Sequence, residues 1–219
     1  MNPLLPALPL RTFGRKAFAL VALAAAAMML ASCSISRPSP VKRTFLLEPA
    51  MPAKVAVARP MSVRVGAVSV AAPFRGKAFV YRDSDLRYES DYYNEFFVTP
   101  AAMLTEATAK ALVAANVFRR VVPFGAAADD GDYVLDGFVS ELYGDARDAA
   151  KPVAVLAMSF YLSPTGVPTP VVIWSREYRQ RVPASATTPE ALAQAWSAAL
   201  SAILADLARD LAGAELPSK

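Results

Sequence analysis

The chain of 219 residues contains one cysteine, Cys33, so no disulfide within the chain can staple its fold. Its position is as informative as its solitude. Arg11, Arg15 and Lys16 precede an uncharged run from Ala17 to Leu30, and two small residues then lead to Cys33. That run is well short of the roughly 20 apolar residues that span a bilayer. A basic segment, a short apolar run and small residues are the pattern of a secretory signal. Residues 33–219 would then remain as the mature chain, long enough for one ordinary domain whose stability must come from burial.

The end of the apolar run is more specific. Leu30-Ala31-Ser32-Cys33 resembles the lipobox of bacterial lipoproteins, in which the cysteine thiol is diacylated and the signal is cut just before it. One acyl chain holds a protein to a membrane marginally, whereas two or three hold it stably. Cys33 is therefore the expected lipidation site and tether. An ordinary signal peptide followed by a free cysteine is the alternative. By the same resemblance, serine at position 34 instead of aspartate implies sorting to the outer membrane, with the domain on its periplasmic face.

Charge and composition then remove several classes of function. Of the formal net charge of +4, Arg11, Arg15 and Lys16 supply three positives in a segment without acids, which leaves the mature chain near +1. There is no cationic surplus with which to neutralise phosphates, so no nucleic-acid partner is expected. The chain also lacks histidine altogether, and with it the commonest general base and zinc ligand. No enzyme activity, metal or cofactor is expected beyond the lipid on Cys33. No P-loop, dinucleotide fingerprint or nucleophile elbow occurs.

Along the chain, residues 34–43 read as a polar, proline-bearing spacer. Thr44 to Pro49 is a candidate first strand, and Ala50 to Pro60 a second spacer. Ser62 to Val70 is a valine-rich strand whose valines fall on both faces around Gly66 and Ala67, as in a strand covered on both sides. Residues 79–82 and 86–89 are two short strands around the turn at 83–85, followed by the aromatic run Tyr92 to Val98. Thr99-Pro100 opens a helix with Asn116 as its stop, and residues 117–123 form a strand. Tyr133 to Tyr143 is the longest strand, with Tyr133, Leu135, Val139 and Tyr143 on one side. Residues 153–162 and 171–182 form an antiparallel hairpin. A final helix begins either with a capping box from Thr187 to Glu190 or with Thr188 as N-cap, and carries a stripe from Leu192 through Trp196 to Leu211. Two helices and five to seven strands predict an α/β domain with a mixed sheet.

Lipobox, spacer, Phe45-Leu46-Leu47-Glu48-Pro49, Arg64-Val65-Gly66-Ala67-Val68, Phe79-Val80-Tyr81-Arg82 and an aromatic run before a helix together resemble the ABC-type transport auxiliary lipoprotein family, which includes paraquat-inducible protein C-like lipoproteins. The resemblance implies a single three-layer α/β domain with a mixed β-sheet and two main helices, similar to anticodon-binding-like folds. It implies a division into signal peptide 1–32, lipidated N-terminus with spacer and candidate first strand 33–60, and auxiliary domain 61–215. It also implies a non-enzymatic accessory of an intermembrane lipid transport system that docks a periplasmic MCE-domain protein, with the permease and ATPase as indirect partners and self-association open. A stand-alone lipid-binding lipoprotein, with an apolar cavity under the C-terminal helix, and a structural envelope lipoprotein are the alternatives.

Within 17 residues the chain carries Tyr81, Arg82, Tyr88, Tyr92, Tyr93, Phe96 and Phe97. Tyrosine and arginine are favoured in binding hot spots, and Tyr81, Arg82, Tyr92 and Tyr93 are the expected partner contacts. The competing reading places Phe96 and Phe97 in the core with the tyrosines roofing it. Asp129-Asp130-Gly131-Asp132 lacks the spaced ligands of a calcium loop and reads as a solvated turn. Arg176, Arg179 and Arg181 read either as a basic patch or as protection of an edge strand. Replacing Cys33 with alanine should abolish incorporation of labelled palmitate and release the protein from the membrane fraction, as read by autoradiography and fractionation.

Overall fold

The thirteen residues of strand β6 (Tyr133–Asp145) are the spine on which the other strands register. Along one edge β6 pairs throughout with β7 (Val153–Pro164), antiparallel, and β7 pairs in turn with β8 (Trp174–Pro183). Its other edge is shared. The first half takes β2 (Arg59–Val70) in parallel and the end takes β3 (Ala78–Arg82), also in parallel. Beyond β2 lies β5 (Phe118–Val122); beyond β3 lie antiparallel β4 (Tyr88–Phe96) and the short parallel β1 (Arg43–Phe45). The result is one mixed sheet of eight strands. These elements come from a computed structural model that describes residues 14, 18, 41–122, 124–125, 131–168 and 171–216. Cys33, the rest of segment 1–32, Asp129 and Asp130 lie outside the described residues.

Helix α1 (Pro100–Ala115) is opened by Thr99, whose side chain accepts from the Ala102 amide, and is closed by Asn116 in the left-handed region at φ 55°. Helix α2 (Pro189–Gly213) settles the two capping alternatives in favour of Thr188, which accepts from the Ala191 amide at 3.2 Å. Glu190 pairs with Arg43 at 3.0 Å instead of closing a capping box. Leu192, Trp196, Leu200, Ile203, Leu207 and Leu211 are all buried, as the stripe predicts. The Trp196 ring meets Phe79 edge-on at 4.9 Å and Phe96 at 5.6 Å, and its indole N–H donates to the Val155 carbonyl at 3.3 Å. The space under α2 is thus filled by side chains, and the apolar groove described below lies beside α1.

The two helices are neighbours, bridged by the strap that follows β1. The Leu47 amide points at Met103 Sδ of α1 at 3.4 Å, while the Glu48 and Ala50 amides donate to Ser197 and Ser201 of α2 at 3.1 and 2.8 Å. Residues 50–58, read as spacer, have no regular structure but are fastened at two helix ends. The Val55 amide donates to Ala115 O at 2.8 Å, and just beyond them the Arg59 guanidinium donates to the Leu211 and Ala212 carbonyls at 2.7 and 3.0 Å and to that of Ala214. An arginine there satisfies orphan carbonyls and complements the negative end of the helix dipole. Helices form one layer and the sheet the next. On the far face the third layer is thin, a 3-10 turn (Ala72–Phe74) whose Phe74 ring stacks on Tyr143 at 5.9 Å.

Two strand readings need correction, and both for the same reason. Between Val65 and Val68 two residues of β2, Gly66 and Ala67, oppose the single Asp136 of β6, so the alternation resets. Val63, Val65, Val68 and Val70 therefore all point toward the helices and are buried, and β2 is not covered on both sides. The Val68 amide freed by the bulge donates to Thr105 Oγ1 of α1 at 2.9 Å, and that hydroxyl donates to Ala101 O at 2.7 Å. A second extra residue, between Val139 and Glu141, turns Leu142 toward the helices and sends Tyr143 to the far face, away from Tyr133, Leu135 and Val139. Replacing Thr105 with valine should cost about 1–3 kcal/mol by orphaning the Val68 amide, and Trp196→Ala about 3–5 kcal/mol, both measured as shifts of the urea midpoint at constant m-value.

Candidate docking surface

The β3–β4 hairpin carries the aromatic run. Its register jumps: Ala78 opposes Glu95 and Val80 opposes Ser90, so β4 spends five residues where β3 spends two. The surplus is held by Asp91. Its Oδ1 accepts from the amides of Tyr93 and Asn94 at 2.7 and 3.0 Å, and its Oδ2 from the Asn94 side chain at 2.7 Å. Burial opposes the charge on Asp91, but these donors outweigh it and hold the carboxyl below its usual range.

The bulge pushes Tyr92 and Tyr93 outward. They are 68% and 48% exposed, and their rings meet edge to face at 5.1 Å. Lys42 lies 5.3 Å from the Tyr92 ring and pairs with Glu95 at 3.1 Å, which also takes Lys77 at 3.5 Å. Tyr81 supports the bulge from below. Burial pushes its phenol up, and the Asp91 carboxylate adds to the shift through charge and a hydrogen bond. Three of the four expected contacts are therefore brought to one corner.

Arg82 is not. Its guanidinium donates to the carbonyls of Ser84 and Asp85 at 3.2 and 2.8 Å and lies 5.6 Å from the Tyr88 ring, where it locks the hairpin turn. Of the paired phenylalanines, Phe96 is buried and Phe97 is 60% exposed. Phe96 ends β4 on the helix side, and Phe97, just past the strand, is left outside. Leu46, 51% exposed after β1, is a further apolar side chain that the sequence reading did not single out.

The three arginines of β8 form no open basic patch. Arg176 turns to the helix side and pairs with Asp210 at 3.3 Å. On the far face Arg179 pairs with Glu141 at 2.5 Å and Arg181 with Asp145 at 2.9 Å. β8 bonds only to β7 and is an edge, which fits the protective reading. Asp145 is the most enclosed of these acids, with its side chain 5% exposed and Arg147 also at 2.9 Å. Hydrogen bonds from Arg147 and then Arg181 outweigh burial and hold its carboxyl well below the usual carboxylate range.

A different kind of concavity lies beside α1. It is an open groove of about 1050 Å³, walled by Met51, Ala67, Ala109, Val113, Val121 and Phe124 among others. Val113 and Phe124 are each 61% exposed there.

A family model described as ABC-type transport auxiliary lipoprotein component matches residues 45–208. Among solved structures, XCC0632 from Xanthomonas campestris, of family DUF330, shares 18% identity with a TM-score of 0.67 over 78% of this chain and 96% of its own. An uncharacterised protein shares 15% identity with a TM-score of 0.57 over 78% of this chain and 99% of its own. These likenesses show the fold. No curated protein sequence matches the chain.

The low carboxyl of Asp145 has a testable consequence. Its stabilisation is present above the unfolded value of about 3.9 and is lost as the pH falls below it. Asp145→Asn should cost about 1–3 kcal/mol at pH 7, a range kept low because its guanidinium partners are partly solvated. In urea titrations the gap from the unsubstituted protein should narrow between about pH 4 and pH 2.

Proposed function

The chain belongs to the ABC-type transport auxiliary lipoprotein family, and on that premise we propose that it is the non-enzymatic accessory of an ABC/MCE-type intermembrane lipid transport system. Cys33 carries the acyl anchor in the outer membrane, and the domain docks the periplasmic MCE-domain protein there. The permease and the ATPase are reached only through that partner. The role needs no cofactor beyond the lipid on Cys33.

The observation that carries the docking part is the tyrosine pair on the β4 bulge. A docking residue has to be exposed before binding, and it has to lose little freedom on binding. Tyr92 and Tyr93 are exposed, each has only two side-chain torsions, and Asp91 holds the bulge beneath them by accepting from two backbone amides and the Asn94 side chain. Tyr81 buttresses the corner, and Arg82 contributes by holding the hairpin turn. Rigid aromatic anchors of this kind dominate the energetics of protein interfaces.

In-cell crosslinking followed by purification of the full-length lipoprotein from membranes tests the reading. An MCE-domain protein should be recovered, and Tyr92→Ala with Tyr93→Ala should reduce recovery by about tenfold or more, the scale of one hot-spot residue. Recovery of no transport component from cells that express the whole system would overturn it.

A further inference from the structure

The groove beside α1 is separate from the tyrosine corner and is not used by the docking role. Its chemistry is unusual for a surface of this size. Its volume of about 1050 Å³ stands at the top of the range of roughly 300–1,000 Å³ typical of small-molecule sites. The floor reaches down to Val68, which is buried, and the helix wall is built from Ala101, Ala102, Ala109 and Ala114, whose short side chains leave the channel open.

The few polar groups along it are already engaged. Thr105 Oγ1 accepts from Val68 N and donates to Ala101 O, and Thr99 Oγ1 accepts from Ala102 N. Glu106 and Lys110 bond each other at 2.6 Å. Among the described residues the walls away from Glu106 and Lys110 carry polar side chains only at Thr99 and Thr105, so an occupant with many buried polar groups of its own would leave most of them unsatisfied. A hydrocarbon chain has none. Charge enters only where Glu106 and Lys110 stand, and both are about two-thirds exposed. An ion pair that open to water is weakly held and can exchange partners. It presents one cation and one anion, which complements the phosphate and ammonium of a zwitterionic head group.

We infer that this groove is a lipid site, which takes one acyl chain of a membrane phospholipid along the α1 wall with the head group at the Glu106–Lys110 pair. Apolar surface withdrawn from water on both sides drives the binding. The site stands on α1, β2, β5, Met51 and Phe124 and holds whether or not the tyrosine corner docks a protein.

The test uses the full-length lipoprotein reconstituted in vesicles of phosphatidylethanolamine and phosphatidylglycerol, with no other protein present. A fraction of the phosphatidylethanolamine carries a diazirine in its acyl chain. After illumination, adducts located by mass spectrometry should map to peptides containing residues 101–114 and 121–124. Because the protein's own anchor has no diazirine, every adduct reports a vesicle lipid. Ala109→Trp fills the channel and should reduce those adducts about tenfold, equivalent to about 1.4 kcal/mol. Val113→Glu, at a site already 61% exposed, places a charge on the apolar wall without disturbing the core and should act in the same direction. Adducts confined to other surfaces, adducts unchanged by both substitutions, or crosslinks joining two copies of the chain through groove residues in place of lipid would each overturn the inference.

Discussion

The hydrogen bond from the Val68 amide to Thr105 stands where two demands on the chain meet. β2 has to bond in parallel with β6 on one edge and β5 on the other, yet its valines are spaced so that strict alternation would divide them between two faces. The extra residue between Val65 and Val68 resolves the conflict by turning all four valines toward the helices. It also strands an amide in the core, and such a group is tolerated only when paired. Thr105 pairs it, and in doing so fixes the height of α1 over the sheet. The groove walled by α1, β2 and β5 follows from that placement.

The same device, an irregular strand stabilised by a side chain, has the opposite outcome in β4. There the surplus residues are not drawn into the core but expelled, and Asp91 binds their amides on the surface side. One bulge turns apolar side chains inward and so makes the core one-sided. The other turns two tyrosines outward on a fixed support. The hairpin of β3 and β4 can present that corner because Phe79 and Phe96 anchor it on Trp196 from the helix side. The tyrosine corner and the apolar groove are therefore distinct products of one scaffold, at different edges of one sheet.

Features set by neighbouring residues were legible in the sequence. Thr99-Pro100 and Thr188-Pro189 announce both helix starts, Asn116 announces a stop, and the α2 stripe is buried as its spacing predicts. Features that depend on register were not. A bulge is defined by what lies across the ladder, so Val65–Val68, Ser90–Glu95 and Val139–Glu141 look like ordinary strand in one dimension. This is why β2 read as covered on both sides and why Tyr143 was placed with Val139. The choice between the two readings of the β8 arginines was not legible for a related reason, since Asp210, Glu141 and Asp145 reach them from other elements. Tyr92 and Tyr93 were legible as candidates from residue type, but their rigid support came only with the fold.

The most direct measurement for the docking account is hydrogen–deuterium exchange of the full-length lipoprotein in vesicles, with and without the periplasmic MCE-domain protein. The account predicts slowed exchange concentrated in residues 88–97, with α1 and β8 unchanged. Slowed exchange over α1 or β8 with residues 88–97 unaffected would contradict it, because the partner would then sit on a surface that the tyrosine corner does not form.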